Sequence, residues 1–321
     1  MTIDLSRPKL SVVVPAFNEA GGIAAFLEQL FAVLSDCCVD FEVWVIDDGS
    51  SDATWVRLCT EQLRYPQLHG LRFTRNFGKE AAILAGLRHA RGDAVIVMDA
   101  DGQHPPGLLP DLLKPWQSGC AKIVAAKKKR RNNDGWRARF NAHIFNKLMK
   151  SLTGLDLADA SDFRLLDRLV VDTLLAFPEK VRFFRGMTVW TGFVTAQIDF
   201  EVPPRLVGES QWSTVQLTRF AITAMTAYSA KPLGLIFRFG LLGMLAAGLL
   251  LLQALYSWLA GTAISGWTSL TFILLLFGSA NMLGIGVLGI YLAQLFDEIK
   301  RRPEFLVRET LGDVSNVAEP H

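Results

Sequence analysis

Asp99 and Asp101 stand one residue apart, just past the apolar run Ala94–Met98. Two carboxylates so placed repel each other unless a cation neutralises them. Hard oxygen donors of this kind select Mg2+ or Mn2+, which share their coordination with substrate phosphates. Gln103 adds a neutral oxygen at the next alternate position, so Asp99, Asp101 and Gln103 form the candidate metal set. Four other apolar runs also end in polar groups. Pro15-Ala16-Phe17-Asn18-Glu19 follows the first, Asp47-Asp48 the second, Arg75-Asn76-Phe77-Gly78-Lys79 the third and Lys127–Arg131 the last. Any one acidic turn serves equally well as a helix cap or a solvated bend. Five of them at the ends of successive runs point to a ligand site. His104, beside the acidic pair, is expected to pack or cap rather than to bind metal.

The elements that must position these residues alternate. Short β-branched runs are expected as strands at Leu10–Val14, Phe41–Ile46, Leu71–Thr74, Ala94–Met98 and Lys122–Ala125. Helical patterns are expected between them at Ala20–Leu34, from Ala53, and at Glu80–Ala90. Nearly continuous apolar strands separated by helices imply an α/β fold with a parallel sheet covered on both faces. In such open sheets, ligands sit at the carboxyl ends of the strands.

Composition then divides the chain. Of 321 residues, 50% are hydrophobic and 20% charged, and the net charge is +2. This excludes disorder and gives no general case for a nucleic-acid partner. All 33 Lys and Arg and all 31 Asp and Glu lie outside residues 239–296. An uncharged stretch of that length is nearly three times the ~20 residues needed to span a bilayer, enough for two spans and a turn. It divides at Gly261–Gly266, which predicts two membrane spans near 235–259 and 269–295. Lys231 and Arg238 precede them and Lys300, Arg301 and Arg302 follow. The positive-inside rule therefore puts both ends in the cytoplasm, with Tyr256, Trp258 and Trp267 near the outer interface. The expected organisation is a cytoplasmic catalytic domain at 1–210, an amphipathic juxtamembrane segment at 211–232, two spans within 233–296 and a cytoplasmic tail at 297–321. The polar N-terminus offers no signal peptide, so the chain is expected in the inner (cytoplasmic) membrane. The four cysteines make no disulfide or zinc pattern.

The runs VVVPAFNE, VIDDGSSD, NFGKEAAILAGLRHARGD and VMDADGQHPP, in this order, resemble glycosyltransferase family 2 with a GT-A (Rossmann-like) fold. DFRLLDR at Asp162–Arg168, RFFRGM at Arg182–Met187, the region Arg205–Trp212 and the C-terminal apolar pair resemble the polyprenyl-phosphate glycosyltransferases within it. The resemblance implies that Pro15, Phe17, Glu19 and Asp47 line the nucleoside pocket, with Asp48 beside them. It implies that Asp99, Ala100, Asp101 and Gln103 meet the diphosphate and its metal, and that Lys128 and Arg131 meet the phosphates. Arg164, Arg205 and Gly208–Trp212 would close over donor and acceptor. Three positions depart from the family pattern: Gly102 where leucine is common, Lys128 where arginine is common, and Ser210-Gln211-Trp212 where a Ser-Lys-Tyr run is common.

The implied reaction moves a sugar from a nucleotide-sugar, expected to be a UDP-sugar, to undecaprenyl phosphate or a similar polyprenyl phosphate, for use in cell-envelope glycans. The acceptor is already an anion, so one in-line attack inverts the anomeric centre with little need of a general base. Asp162 is expected to cap the strand that carries Arg164, its alternative role being that base. A glycan hydroxyl acceptor, or a non-catalytic nucleotide-binding scaffold, are the competing readings. The basic residues from Lys127 to Arg139 suit anionic membrane lipids and the lipid-linked phosphate. They lack the interleaved aromatics that nucleic acid requires. Asn141–Leu152 and Val215–Tyr228 read as amphipathic surface helices. Gly284, Gly286 and Gly289 suit close helix packing, within the chain or between copies of it.

Overall fold

The structure is a computed structural model. It describes residues 9–37, 40–128, 160–179, 182–200, 231–260, 266–300 and 302–312. The described chain runs β1 (Lys9–Ala16), α1 (Ile23–Asp36), β2 (Asp40–Asp47), α2 (Thr54–Gln62), β3 (Leu68–Phe73), α3 (Lys79–His89), β4 (Ala94–Val97) and α4 (Leu109–Gln117). There follow β5 (Ile123–Lys128), β6 (Ala160–Asp167), α5 (Arg168–Leu175), α6 (Phe184–Trp190), β7 (Thr195–Phe200), α7 (Lys231–Leu259), α8 (Trp267–Ile299) and β8 (Val307–Leu311). Two compact units result. One holds β1 to β7 with β8, and the other holds α7 and α8.

The first unit is an eight-stranded sheet in the order β7-β5-β6-β4-β1-β2-β3-β8. β1 runs parallel to β2 and β4, and β2 parallel to β3. The sheet is not wholly parallel as the apolar runs suggested. β6 lies antiparallel between β4 and β5, and β8 runs antiparallel along β3. Apolar periodicity reports that both faces of a strand are buried, and it carries no sign of direction. β1 to β5 nevertheless all point the same way, so their carboxyl ends share one edge.

Burial follows the pleat, successive side chains facing opposite layers. Val12, Val14, Val43, Val45 and Ile96 face a core built with Phe26, Leu27, Leu30 and Leu34 of α1 and Leu112 and Trp116 of α4. The α1 positions recur every three or four residues, which is one helical face. α3 instead is buried over most of its girth, because it packs on β1 and β2 through small residues. A Cβ on Gly86 would stand 2.1 Å from Val13 Cγ1.

β8 lies within the segment expected as a tail. Its strand is fastened by side chains as well as by the ladder. Glu304 pairs with Arg88 and with Arg182 Nε at 3.1 Å, and Phe305 stacks on Phe73 at 4.9 Å. Glu309 accepts from Arg72 Nη1 at 2.9 Å and from Trp55 Nε1 at 2.8 Å.

In the second unit, α7 and α8 are helices over the two stretches expected as membrane spans. Among the described residues, one window is long and apolar enough to cross a membrane, Leu276–Ala293 of α8, with 6% of it buried. α7 carries a shorter apolar run, Arg238–Leu250. Gly243 makes room for Phe277 and Gly284 meets Ile236, while nothing in the described chain lies near Gly286 or Gly289.

Candidate active site

The carboxyl ends of β1, β2, β3 and β4 bring the predicted loops together. After β1, Asn18 takes the left-handed conformation (φ 55°), which asparagine tolerates better than most residues. Its backbone N–H donates to Ser50 Oγ at 2.9 Å, and its Oδ1 accepts from the Ser51 N–H at 2.9 Å. The Glu19 N–H donates to Thr54 Oγ1 at 2.9 Å. Phe17 projects into solvent, 44% exposed, and Pro15 is half-buried at the end of β1. Three of the expected pocket residues, Pro15, Phe17 and Glu19, thus lie on one loop.

Asp47, at the end of β2, is fully buried. Its Oδ1 accepts from the Ser50 N–H at 2.9 Å. Its Oδ2 lies 3.3 Å from Arg72 Nε and has no hydrogen bond. Arg72 is in turn held by Glu309 of β8. Asp48 plays a different part from the pocket role expected of it. Its two oxygens accept from the Phe77 N–H at 2.7 Å and the Gly78 N–H at 2.9 Å, stapling the loop after β2 to the loop after β3. Burial raises its pKa against those bonds. The same junction explains Gly49 (φ +69°), whose Cβ would lie 2.4 Å from the Arg75 backbone carbon.

Asp99 follows β4, and its backbone is fixed from beneath. The Asp99 N–H donates to His104 Nδ1 at 2.8 Å, and His104 Nε2 lies 3.1 Å from Ser161 Oγ. Because a backbone N–H always donates, Nδ1 accepts and the imidazole proton sits on Nε2. His104 is buried, stacked on Phe163 at 5.0 Å, and packs as expected. Ala100 is buried, whereas Asp101, Gly102 (φ 77°) and Gln103 are half-buried. Asp101 Oδ1 accepts from the Gln103 N–H at 2.9 Å.

Lys79 and Arg185 complete the cluster, and the residue-level expectations missed both. Lys79 opens α3 and places Nζ 2.6 Å from Asp99 Oδ1 and 2.7 Å from Asp162 Oδ2. Arg185 of α6 grips Asp162 with Nε at 2.6 Å and Nη2 at 2.9 Å. Burial alone would raise the Asp162 carboxyl, but these two cations hold it well below the usual carboxylate range. Both Asp162 oxygens are thus engaged by cations, in place of the strand cap expected of it. Lys79 is held above the ordinary lysine range by Asp99 and Asp162, which outweigh its burial. Glu80, next in sequence, accepts from the Phe184 N–H at 2.8 Å, and burial with the nearby Asp162 charge pushes it up to about 7. NFGKE and RFFRGM were visible as motifs. What sequence does not show is that β6 brings Asp162 between them.

Arg164 requires correction. It was expected over the donor, but its side chain is buried beneath α6. It donates to the Ser161 carbonyl at 3.2 and 2.6 Å and to Thr188 Oγ1, and burial lowers its pKa to about 10. Asp162, two residues before it on the same face of β6, reaches the cluster in its place. Lys128 ends β5, while Arg131, Arg205, the segment 208–212, and the two expected surface helices at 141–152 and 215–228 lie outside the described residues.

The donor set fits a divalent cation in kind. Asp99 and Asp101 offer hard oxygens, and Mg2+ commonly takes one or two carboxylates with the rest from phosphates and water. No group of three or more His, Cys, Asp and Glu side chains able to hold a metal occurs among the described residues. A cation here would therefore depend on substrate oxygens.

The acidic loops and fixed cations thus share one carboxyl edge of an α/β sheet, the place where ligands of such sheets bind. The chain belongs to glycosyl transferase family 2, whose model matches residues 11–175. It is a glycosyltransferase with a GT-A-like α/β fold. It is 33% identical over 309 residues to an uncharacterized glycosyltransferase of Synechocystis, covering 95% of this chain and 96% of that one. It is 34% identical over 305 residues to the prophage bactoprenol glucosyl transferase homolog of Escherichia coli, covering 94% and 98%. Glucosyl-3-phosphoglycerate synthase from Mycobacterium tuberculosis, crystallised with Mn2+, UDP-glucose and phosphoglyceric acid, aligns at TM-score 0.46 and 21% identity, over 68% of this chain and 78% of that one.

Proposed function

We propose that the protein is a membrane-bound inverting glycosyltransferase that moves a sugar from a UDP-sugar to undecaprenyl phosphate or a similar polyprenyl phosphate. The observation that carries the reading is that one chain joins this acidic and cationic edge to an apolar helix whose 276–293 window is 6% buried. That division suits a water-soluble donor and a lipid-borne acceptor. The bactoprenol transferase relatives, matched over nearly their whole length, support the acceptor.

In this reading the loop of Pro15, Phe17 and Glu19 with Asp47 receives the nucleoside. Asp99 and Asp101, with Gln103, would hold Mg2+ or Mn2+, which stabilises the leaving diphosphate electrostatically. Lys79 and Arg185 are held in place by Asp162 before substrate arrives, so they need little reorganisation as charge develops. Lys128, Arg131 and Arg205 are proposed to meet phosphates. The ion-paired Asp162 is matched to an acceptor that is already ionised.

The membrane reading follows from chain connectivity. β8 pairs with β3, so the chain that leaves the sheet after β7 must come back to it. A single crossing would strand β8 across the bilayer from its partner. If α8 crosses, a second crossing must bring the chain back, and α7 is the helix we propose for it, with both ends of the pair on the catalytic side. The basic residues at 231, 238 and 300–302 put that side in the cytoplasm. The catalytic domain then comprises 1–210 together with β8.

The test incubates the purified chain with labelled UDP-sugars, UDP-glucose first, and undecaprenyl phosphate, with and without EDTA. Lipid-extractable product should need the polyprenyl phosphate, fall to background with EDTA, and disappear in Asp101→Asn. Product without the lipid phosphate sinks the acceptor, and EDTA-resistant turnover sinks the metal.

A further inference from the structure

Lys79 occupies an unusual place for a lysine near a metal-binding pair. Its ammonium sits against one oxygen of the carboxylate that a divalent cation would use, 2.6 Å from Asp99 Oδ1. It is also the one link from that carboxylate to the Asp162–Arg185 pair among the ion pairs of the described residues. The Asp99 side chain is 25% exposed and Asp162 7%, so the Asp99 end of this link is the one that solvent reaches. Lys79 can thus release Asp99 without losing Asp162.

We propose that Lys79 is the resident counter-cation of Asp99, which it must vacate before a divalent cation is accepted at the Asp99–Asp101 pair. This rests on the metal reading of that pair. A divalent ion and an ammonium at one carboxylate repel each other, so Lys79 and the divalent ion compete. Lys79 leaves Asp99 at least cost when another anion takes the freed N–H. The nucleotide diphosphate is that anion. Divalent cation and nucleotide therefore bind together, and Lys79 is what couples them. Competition of this kind is a coupling free energy between two ligands, and it is reciprocal.

The experiment reads binding rather than turnover. Mn2+ is titrated into the detergent-solubilised full chain, with and without UDP, and unbound Mn2+ is followed by electron paramagnetic resonance. Wild type should bind Mn2+ weakly alone and about tenfold or more tighter with UDP, a typical coupling. Lys79→Gln should bind Mn2+ alone about tenfold tighter than wild type, and the UDP effect should shrink. Lys79→Arg, keeping the charge, should stay close to wild type. Asp162 retains Arg185 in both variants, and the thermal unfolding midpoint checks that they fold. Should Lys79→Gln not fold, wild type still decides the matter, since Mn2+ affinity independent of UDP overturns the proposal. Unchanged or weaker Mn2+ binding by folded Lys79→Gln also overturns it. If no protein binds Mn2+ even with UDP, the metal reading itself has failed, and that outcome is separable because it appears in wild type.

Discussion

Glu80 gives a pH-dependent test of the burial around the site. It lies on α3 beside the pocket lined by Leu84, Leu87, Leu174 and Met187, one bond from the Phe184 N–H. Burial, then the charge of Asp162, pushes its carboxyl from 4.5 up to about 7. In the unfolded chain it ionises near 4.5. Between those two values the folded state keeps a proton that the unfolded state has lost. Stability from this group is therefore complete below pH 4.5 and declines as pH rises to 7. At 1.36 kcal/mol per unit, about 2–3 kcal/mol is lost between pH 5 and pH 8. Glu80→Gln does not titrate, and its amide oxygen still accepts from Phe184. The thermal midpoint of the variant relative to wild type should rise across that range, by about 2–4 °C for each kcal/mol. Asp162 contributes with the opposite sign, its stability being lost only as pH falls below its ordinary 3.8, so the range avoids it. Tryptophan fluorescence melts at pH 5, 6, 7 and 8 make the measurement. Curves for the two proteins that stay parallel across those pH values would refute the buried, proton-retaining Glu80.

Asp162→Asn removes the carboxylate that Lys79 and Arg185 share, and it should destabilise the catalytic unit by about 3–5 kcal/mol and abolish transfer. A near-wild-type melt would show that the pairing is dispensable. Gly86→Ala should cost about 1–3 kcal/mol by overpacking, because its Cβ would meet Val13 Cγ1 at 2.1 Å. Val13→Ala in the same chain should recover part of that loss, and strict additivity in denaturant melts would mean that α3 and β1 do not meet there.

Much of this was legible in the sequence because strand ends announce themselves. An apolar run closed by Asp47-Asp48 or by Asp99-Ala100-Asp101 locates a carboxyl edge, and five of the expected strands fall on observed ones within a few residues. Direction was not legible, and neither was β8. Its five residues, Val307–Leu311, are half exposed and carry charge, which is how an edge strand reads and also how a tail reads. Arg164 shows the opposite difficulty. On β6 it shares a face with Asp162, and pattern alone does not say which of the two charged residues reaches the edge. The distinction lies in α6, where Arg185 meets Asp162 and Thr188 meets Arg164.

The acidic character of the edge is the part that pairing changes most. Asp47, Asp48, Asp99 and Asp162 converge there, and unpartnered they would repel one another strongly at low dielectric. Each has been answered locally. Arg72 faces Asp47. Two backbone N–H groups hold Asp48. Lys79 lies between Asp99 and Asp162, and Arg185 covers the latter. Two of these answers come from far along the chain: Arg185 from α6, and Glu309 of β8, which steadies Arg72. In the proposed reading, an edge whose described carboxylates are so answered does not draw in a bare divalent cation by charge alone. Nor does it hold an unescorted diphosphate, whose charge needs more than the two ammonium and guanidinium groups already committed to Asp162. The arrangement favours arrival of the two together, each supplying the charge that the other requires.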